Sequence, residues 1–409
     1  MEKRSSSFLE GIGLARKKAY DKSESFLPIP YYSLIMPPPQ SKIIYRDMLS
    51  PKERIFTSYS DVTDLFICSI REYAYQGLPD PATRSIVWKL LLNVFPLNPT
   101  QWNRRHLKNL QTYTGFVNDF IVVPNRNCGR ENCNLVPNPI DLSWKDDDHP
   151  HSGAESENES ETDPERVNES KWSRNFGYSD MREAIWKDVE RTYADYPFFH
   201  EHNRQVLARL LFVYVNLNKC VNYVQGMNEL MAPLLYVFAE DVLDREVSME
   251  VEADTFFAFN TLASELQNLY IKHMDSTSLG LQGTLKRFDN MIERNVPAVY
   301  DWFDEIELKP QLYAIRWLTT LFSREFELKD TCRVWDSIFA DPERFFFAQC
   351  IGTAMVKRIE PALLKGDFVQ DIQLLQNYEM PPAEEILELA DKVRRDELQR
   401  RDDSFVRSG

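Results

Sequence analysis

The 409 residues carry a net charge of −15, and 43% of them are apolar and 12% aromatic. A chain of this size holds one large domain with extensions or two modest ones, and its acidic balance disfavours nonspecific nucleic-acid binding. Only 13 glycines argue against many tight hairpins, and the longest apolar runs, Val206–Val215 and Leu230–Phe238, are too short to span a bilayer.

The first residues, Met1-Glu2-Lys3-Arg4-Ser5, lead into no sustained apolar stretch, so secretion is not expected. Glu2 and Glu10 count against a mitochondrial leader, and position 2 is not the glycine that myristoylation requires. Residues 1–45 read as a disordered, proline-rich lead-in. They combine a short amphipathic stretch, Phe8–Tyr20, with Pro28-Ile29-Pro30 and Pro37-Pro38-Pro39.

A folded domain is expected over 46–395. Helical periodicity starts near Pro51 and runs to Tyr75, where Gly77-Leu78-Pro79 ends it. Pro81–Phe95 sets Trp88, Leu91 and Leu92 on one face, and Trp102–Phe120 supplies a third helical run. Residues 121–172 then lose apolar periodicity and read as an acidic loop insertion, too polar to offset the entropy of ordering. Ten Asp or Glu stand there between Asp146 and Glu169 against the single Arg166, so most of the net charge sits in this segment. Within it, Cys128-x4-Cys133 and His149-Pro150-His151 resemble metal ligands in kind. One residue between the two histidines is narrower than structural zinc uses, and no metal is expected. Ser156 and Ser160, each followed by an acid, are candidate phosphorylation sites.

Helical patterns return over Asp180–Tyr193, Asn203–Leu217, Gly226–Phe238, Ala253–Met274 and Leu279–Arg294. They continue over Gln311–Phe322, Lys329–Phe339, Arg344–Leu364, Phe368–Asn377 and Pro382–Arg395. No run alternates with period 2, so the fold class is all-α, without a detectable repeat. Residues 396–409 read as a charged, frayed tail. Of the six cysteines, Cys68, Cys220, Cys332 and Cys350 fall singly in apolar helical contexts, as buried free thiols of a reducing, cytoplasmic compartment would.

Two short motifs carry the chemistry. Ile185-x-x-Asp188-x-x-Arg191-Thr192 lies in a helical pattern, where steps of three put Ile185, Asp188 and Arg191 on successive turns of one face. Tyr223-x-Gln225-Gly226-Met227 sets an amide where an extended turn gives way to an apolar helix. Each alone is ordinary: a surface ion pair, and a polar residue at a helix start. Together they suit the completion of another protein's GTPase site. An arginine held by a carboxylate neutralises charge on a transferring phosphoryl group, and a projecting amide orients the attacking water.

The order of motifs resembles the TBC domain, the GTPase-activating domain for Rab proteins. Gly77-Leu78-Pro79 followed by Arg84, Trp88 and Leu91-Leu92 is similar to the family's opening signature. Trp172-Ser173-x-x-Phe176 is similar to its approach to the arginine-finger helix. The Ile185–Thr192 motif resembles that arginine finger, and Tyr223-x-Gln225-Gly226 resembles the glutamine finger. Arg316-Trp317-Leu318 and Arg333-x-Trp335-Asp336 resemble later helices, so the likeness runs from Gly77 to Tyr378.

The resemblance implies that Arg191 and Gln225 act in trans on a GTP-bound Rab-family GTPase, with Ile185, Asp188, Thr192, Tyr223 and Gly226 supporting the fingers. It implies structural roles for Gly77, Leu78, Pro79, Arg84, Trp88, Trp317, Trp335 and Asp336. It also implies a part in vesicle traffic, and membrane contact at most peripheral, through the Rab. GTP and Mg²⁺ would belong to the partner, since the chain has no Gly-x-x-x-x-Gly-Lys-Ser/Thr loop of its own. The alternative is a helical Rab-binding scaffold that catalyses nothing.

Overall fold

The computed structural model describes residues 59–121, 171–218, 221, 223–239, 247–270, 277–278 and 280–408. The lead-in 1–45 and most of the acidic insertion lie outside the described residues, with Cys128, Cys133, His149, His151, Ser156 and Ser160 among them. Every regular element described is helical, as the patterning predicts. In chain order these are α1 (Tyr59–Tyr75), α2 (Pro81–Leu91), α3 (Trp102–Phe120), α4 (Lys171–Arg191), α5 (Glu201–Leu217), α6 (Met227–Ala239), α7 (Met249–Tyr270) and α8 (Leu281–Asn295). They continue as α9 (Pro297–Glu305), α10 (Ala314–Thr319), α11 (Leu328–Ala340), α12 (Arg344–Arg358), α13 (Glu360–Leu363), α14 (Phe368–Gln376) and α15 (Ala383–Ser408). None of the described helices is long and apolar enough to cross a membrane. Packing separates two compact units, residues 1–114 with 229–409, and residues 115–228.

In the first unit α12 packs on α15, burying Phe347, Ile351 and Met355 of one and Ile386, Ala390 and Val393 of the other. α11 packs on α1 and α2. At that junction the Asp336 carboxylate of α11, fully buried, collects donors from far earlier in the chain. Trp88 Nε1 donates to it at 2.8 Å, the Leu78 backbone N–H at 3.1 Å and Arg84 Nε at 3.0 Å. Arg84 also donates to the Leu78 carbonyl at 3.0 Å, so the chain turn after Gly77 is locked on both sides. Burial pushes the Asp336 carboxyl above the usual carboxylate range, with Arg84, the Leu78 N–H and Trp88 pulling the other way. Trp335 lies 5.8 Å from Trp88 and 5.3 Å from Phe339, between ring centroids, closing the apolar side. Trp317 stands apart from this junction, buried with Tyr313 at 5.2 Å and Tyr378 at 6.3 Å.

Several boundaries differ from the sequence expectation. α4 begins at Lys171, inside the stretch read as loop. α9 was not expected; Pro297 opens it with φ preset and no N–H to satisfy. Gln311–Phe322 is not one helix. It is a 3-10 turn followed by α10, after which Leu321 and Phe322 take φ of 47° and 63°. The Leu321 carbonyl, released from helical pairing, accepts from Trp335 Nε1 at 2.8 Å. The Arg344–Leu364 helix divides at Ile359, because Pro361 has no N–H with which to continue it.

Past Asp396 the chain is not frayed: α15 runs on to Ser408. The buried Glu397 holds it, accepting from Arg294 Nε at 3.0 Å, Asn295 Nδ2 at 2.8 Å and Arg400 Nη1 at 2.5 Å. Cys332 and Cys350 are buried, and burial pushes the Cys350 thiol up. Cys68, expected inside, is exposed on α1, and Cys220 lies outside the described residues.

The second unit packs α4 on α5. The long apolar run of α5 buries almost every residue from Val206 to Asn216, and Ile185 and Val189 of α4 are fully buried. The Arg182 guanidinium of α4 lies 5.6 Å from the Phe212 ring centroid of α5.

Candidate functional site

The chemistry-bearing residues of the second unit gather at the C-terminal end of α4. The helix stops there because Tyr193 takes φ of 43°, a left-handed conformation. Its ring stacks on Phe199 at 5.5 Å and meets Tyr196 edge-on, which holds the reversed chain. Ile185 and Val189 face inward and fix the rotation of the last two turns. That rotation leaves Asp188 and Thr192 buried and turns Arg191 outward.

Asp188 is the centre. One carboxylate oxygen accepts from Arg191 Nη2 and the other from Tyr223 Oη at 2.8 Å. The Asp188 side chain is 7% exposed and that of Arg191 53%, so the guanidinium is tethered at one edge and open at the other. A planar guanidinium held this way keeps free donors aimed outward, with less rotamer freedom to lose when an anion arrives.

Tyr223 opens the turn into α6. Gly226, at φ of 108°, supplies a backbone conformation that residues with a Cβ rarely adopt. The Gln225 side chain beside it is exposed. The Met227 N–H closes the turn on the Val224 carbonyl at 3.1 Å, and α6 begins there.

A second connection runs beneath this turn. The Thr192 hydroxyl donates to the Asp188 carbonyl at 2.8 Å and accepts from Asn228 Nδ2 at 2.8 Å. Asn228 Oδ1 accepts the Gly226 N–H at 3.1 Å. Sequence reasoning singled out Ile185, Asp188, Arg191, Thr192, Tyr223, Gln225 and Gly226, and these do gather at one place. It passed over Asn228, whose signal is a polar residue one position after the motif, at the start of an otherwise apolar helix. The remaining singled-out residues serve the first unit: Gly77, Leu78, Pro79, Arg84, Trp88, Trp335 and Asp336 around one buried carboxylate, and Trp317 in its own aromatic cluster. Among the described residues no group of three or more His, Cys, Asp or Glu is arranged to hold a metal ion.

A half-exposed, carboxylate-tethered guanidinium and an exposed amide on a fixed turn can hydrogen-bond an anion from outside the chain. The family model RabGAP-TBC, the Rab-GTPase-TBC domain, matches residues 142–364, which include both motifs. TBC1 domain family member 13 from Homo sapiens is 32% identical over 373 residues, covering 79% of this chain and 93% of its own length. The Mus musculus protein of the same name aligns with the same identity and coverage. By sequence, Glu252–Phe257, Phe339-Ala340-Asp341 and Leu364–Phe368 resemble that member. TBC1 domain family member 5 from Mus musculus is 24% identical over 357 residues, with 78% of this chain and 41% of that protein aligned. The fold is shared with the crystal structure of the Ypt/Rab-GAP domain of Gyp1p, at a TM-score of 0.60 and 19% identity over 84% of this chain and 93% of that one.

Proposed function

The chain belongs to the Rab-GTPase-TBC domain family, and from that premise we propose that it accelerates GTP hydrolysis on a GTP-bound Rab partner by supplying Arg191 and Gln225 in trans. The observation that carries this reading is the shared anchor. Asp188 binds Arg191 with one oxygen and Tyr223 with the other, so the residue that presents the guanidinium also fixes the start of the glutamine turn.

In this mechanism Arg191 enters the partner's nucleotide site and balances charge on the γ-phosphoryl oxygens as the bond to the leaving group lengthens. Gln225 orients the attacking water through its amide. GTP and Mg²⁺ come with the partner, and this chain contributes no cofactor. The domain that does this spans residues 46–395. Its setting is the cytoplasmic face of vesicle traffic, where a lipidated Rab brings the membrane with it.

An arginine supplied in trans contributes about 10³–10⁵ in rate, or about 4–7 kcal/mol of barrier. A half-exposed ion pair, by contrast, contributes at most about 1 kcal/mol to folding. The test is GTP hydrolysis on a panel of purified GTP-loaded Rabs with wild type, Arg191→Ala and Gln225→Ala. The expected result is strong stimulation of one or a few Rabs, lost in both variants while helical content and binding persist. Stimulation undiminished in Arg191→Ala removes the finger assignment. Binding without stimulation by wild type leaves a helical scaffold.

A further inference from the structure

We propose that Asn228 is a positioning residue that couples the two fingers, setting the end of the Arg191 helix and the Gln225 turn in one register through a single side-chain amide. The proposal rests on the in-trans reading above.

The chemistry of two of its neighbours dictates the residue type, and the Tyr223 hydroxyl lies 3.5 Å from the same Asn228 Oδ1. The Thr192 hydroxyl gives its proton to the Asp188 carbonyl, so toward Asn228 it offers lone pairs only and needs a donor. The Gly226 backbone offers an N–H and needs an acceptor. A primary amide meets both demands at once, with Nδ2 on Thr192 and Oδ1 on Gly226. An aspartate at this position would keep the second bond and lose the first; an alanine would lose both.

Asn228 and Thr192 are both buried, so neither bond competes with bulk water and each is a fixed link. The connection runs parallel to Asp188–Tyr223. Asp188–Tyr223 ties the arginine's carboxylate to the first residue of the glutamine motif. Thr192–Asn228–Gly226 ties the residue after the arginine to the residue after the glutamine. Two links on either side of the fingers fix separation and rotation together, which one alone leaves free. Asn228 acts through Thr192 and Gly226, so its effect belongs in the rate of the chemical step rather than in docking.

The experiment measures kcat and KM for GTP hydrolysis on the purified Rab that wild type stimulates most. It compares Asn228→Ala, Asn228→Asp, Thr192→Val and Thr192→Ser, with Arg191→Ala as reference and circular dichroism on every variant. Misplacing catalytic groups by a fraction of an ångström lowers kcat by about 10–100-fold in Asn228→Ala, with KM within about threefold of wild type. Thr192→Val, which keeps the shape and loses the hydroxyl, is expected to follow it. Thr192→Ser restores the hydroxyl and is expected to recover kcat to within about threefold. Asn228→Asp falls between, since it keeps the Gly226 bond.

A wild-type kcat in both Asn228→Ala and Thr192→Val, beside a strong loss in Arg191→Ala, overturns the coupling and leaves the fingers intact. A loss confined to KM overturns it as well, assigning the residue to partner docking. Undiminished hydrolysis by Arg191→Ala takes down the finger reading and this proposal with it. If Asn228→Ala loses its helical signal, the Thr192→Val and Thr192→Ser pair decides the matter alone.

Discussion

The two carboxylate junctions, at Asp336 in the first unit and at Asp188 in the second, are built from the same parts. Each has an arginine, an aromatic donor and a glycine with positive φ. At Asp336 these are Arg84, Trp88 and Gly77; at Asp188 they are Arg191, Tyr223 and Gly226. Among the described residues Gly77 and Gly226 are the glycines in that conformation. What separates the junctions is water. Both carboxylates are buried, but the Arg84 side chain is 16% exposed whereas Arg191 is more than half exposed. Similar chemistry is thus closed in as a structural clasp at Asp336 and left open at Asp188, as the proposed finger requires.

Removing each cation tests that distinction most severely. Arg84→Ala leaves Asp336 as an unpaired charge in a site closed to solvent, so a loss of about 3–5 kcal/mol is expected from chemical denaturation. Arg191→Ala removes a cation that is more than half in solvent and leaves the buried Asp188 still bonded to Tyr223, so a smaller loss of about 1 kcal/mol is expected. The activity ranking is expected to run the other way, with Arg191→Ala folded and unable to stimulate hydrolysis. If both variants lose similar stability, exposure is not what divides clasp from finger.

The glycines give a finer version. Gly77→Ala meets two penalties. Its φ of 96° is strained for any side chain, and an added Cβ would lie 2.7 Å from Arg333 Nε. Gly226→Ala meets the strain of its own positive φ, about 1–3 kcal/mol, and it shifts the turn that presents Gln225. Melting experiments should therefore show both variants destabilised. Gly226→Ala should lose more kcat than its fraction unfolded accounts for. A loss of activity that tracks unfolding alone would deny the turn its presenting role.

Much of this was legible in the chain because the informative signals are local. The three-residue steps of Ile185, Asp188 and Arg191 require only a helix, and Gln225-Gly226 before an apolar run requires only a turn. What was hidden depends on partners far away in sequence. Nothing in spacing says that the two oxygens of Asp188 divide between Arg191 and Tyr223, or that Asn228 reaches back to Thr192. Helix ends were hidden for the same reason. α10 stops early where Trp335 captures the Leu321 carbonyl, and α15 continues past Asp396 because Glu397 finds Arg294 and Asn295. A charged run reads as a tail until its buried counter-charges are known.

The smallest expected effect is also the control on the glycine argument. Gly115 sits inside α3, and a Cβ built there meets nothing within 4 Å. Glycine in a helix interior loses backbone entropy that alanine does not, so Gly115→Ala should add about 0.5–1 kcal/mol of stability. Denaturation midpoints of Gly115→Ala and Gly226→Ala would then move in opposite directions from wild type, although each adds the same methyl group. Opposite signs assign the cost at Gly226 to its own place in the fold, a buried turn at positive φ. A shared destabilisation would assign it to chain stiffening in general, and the special status of the turn behind Gln225 would fall.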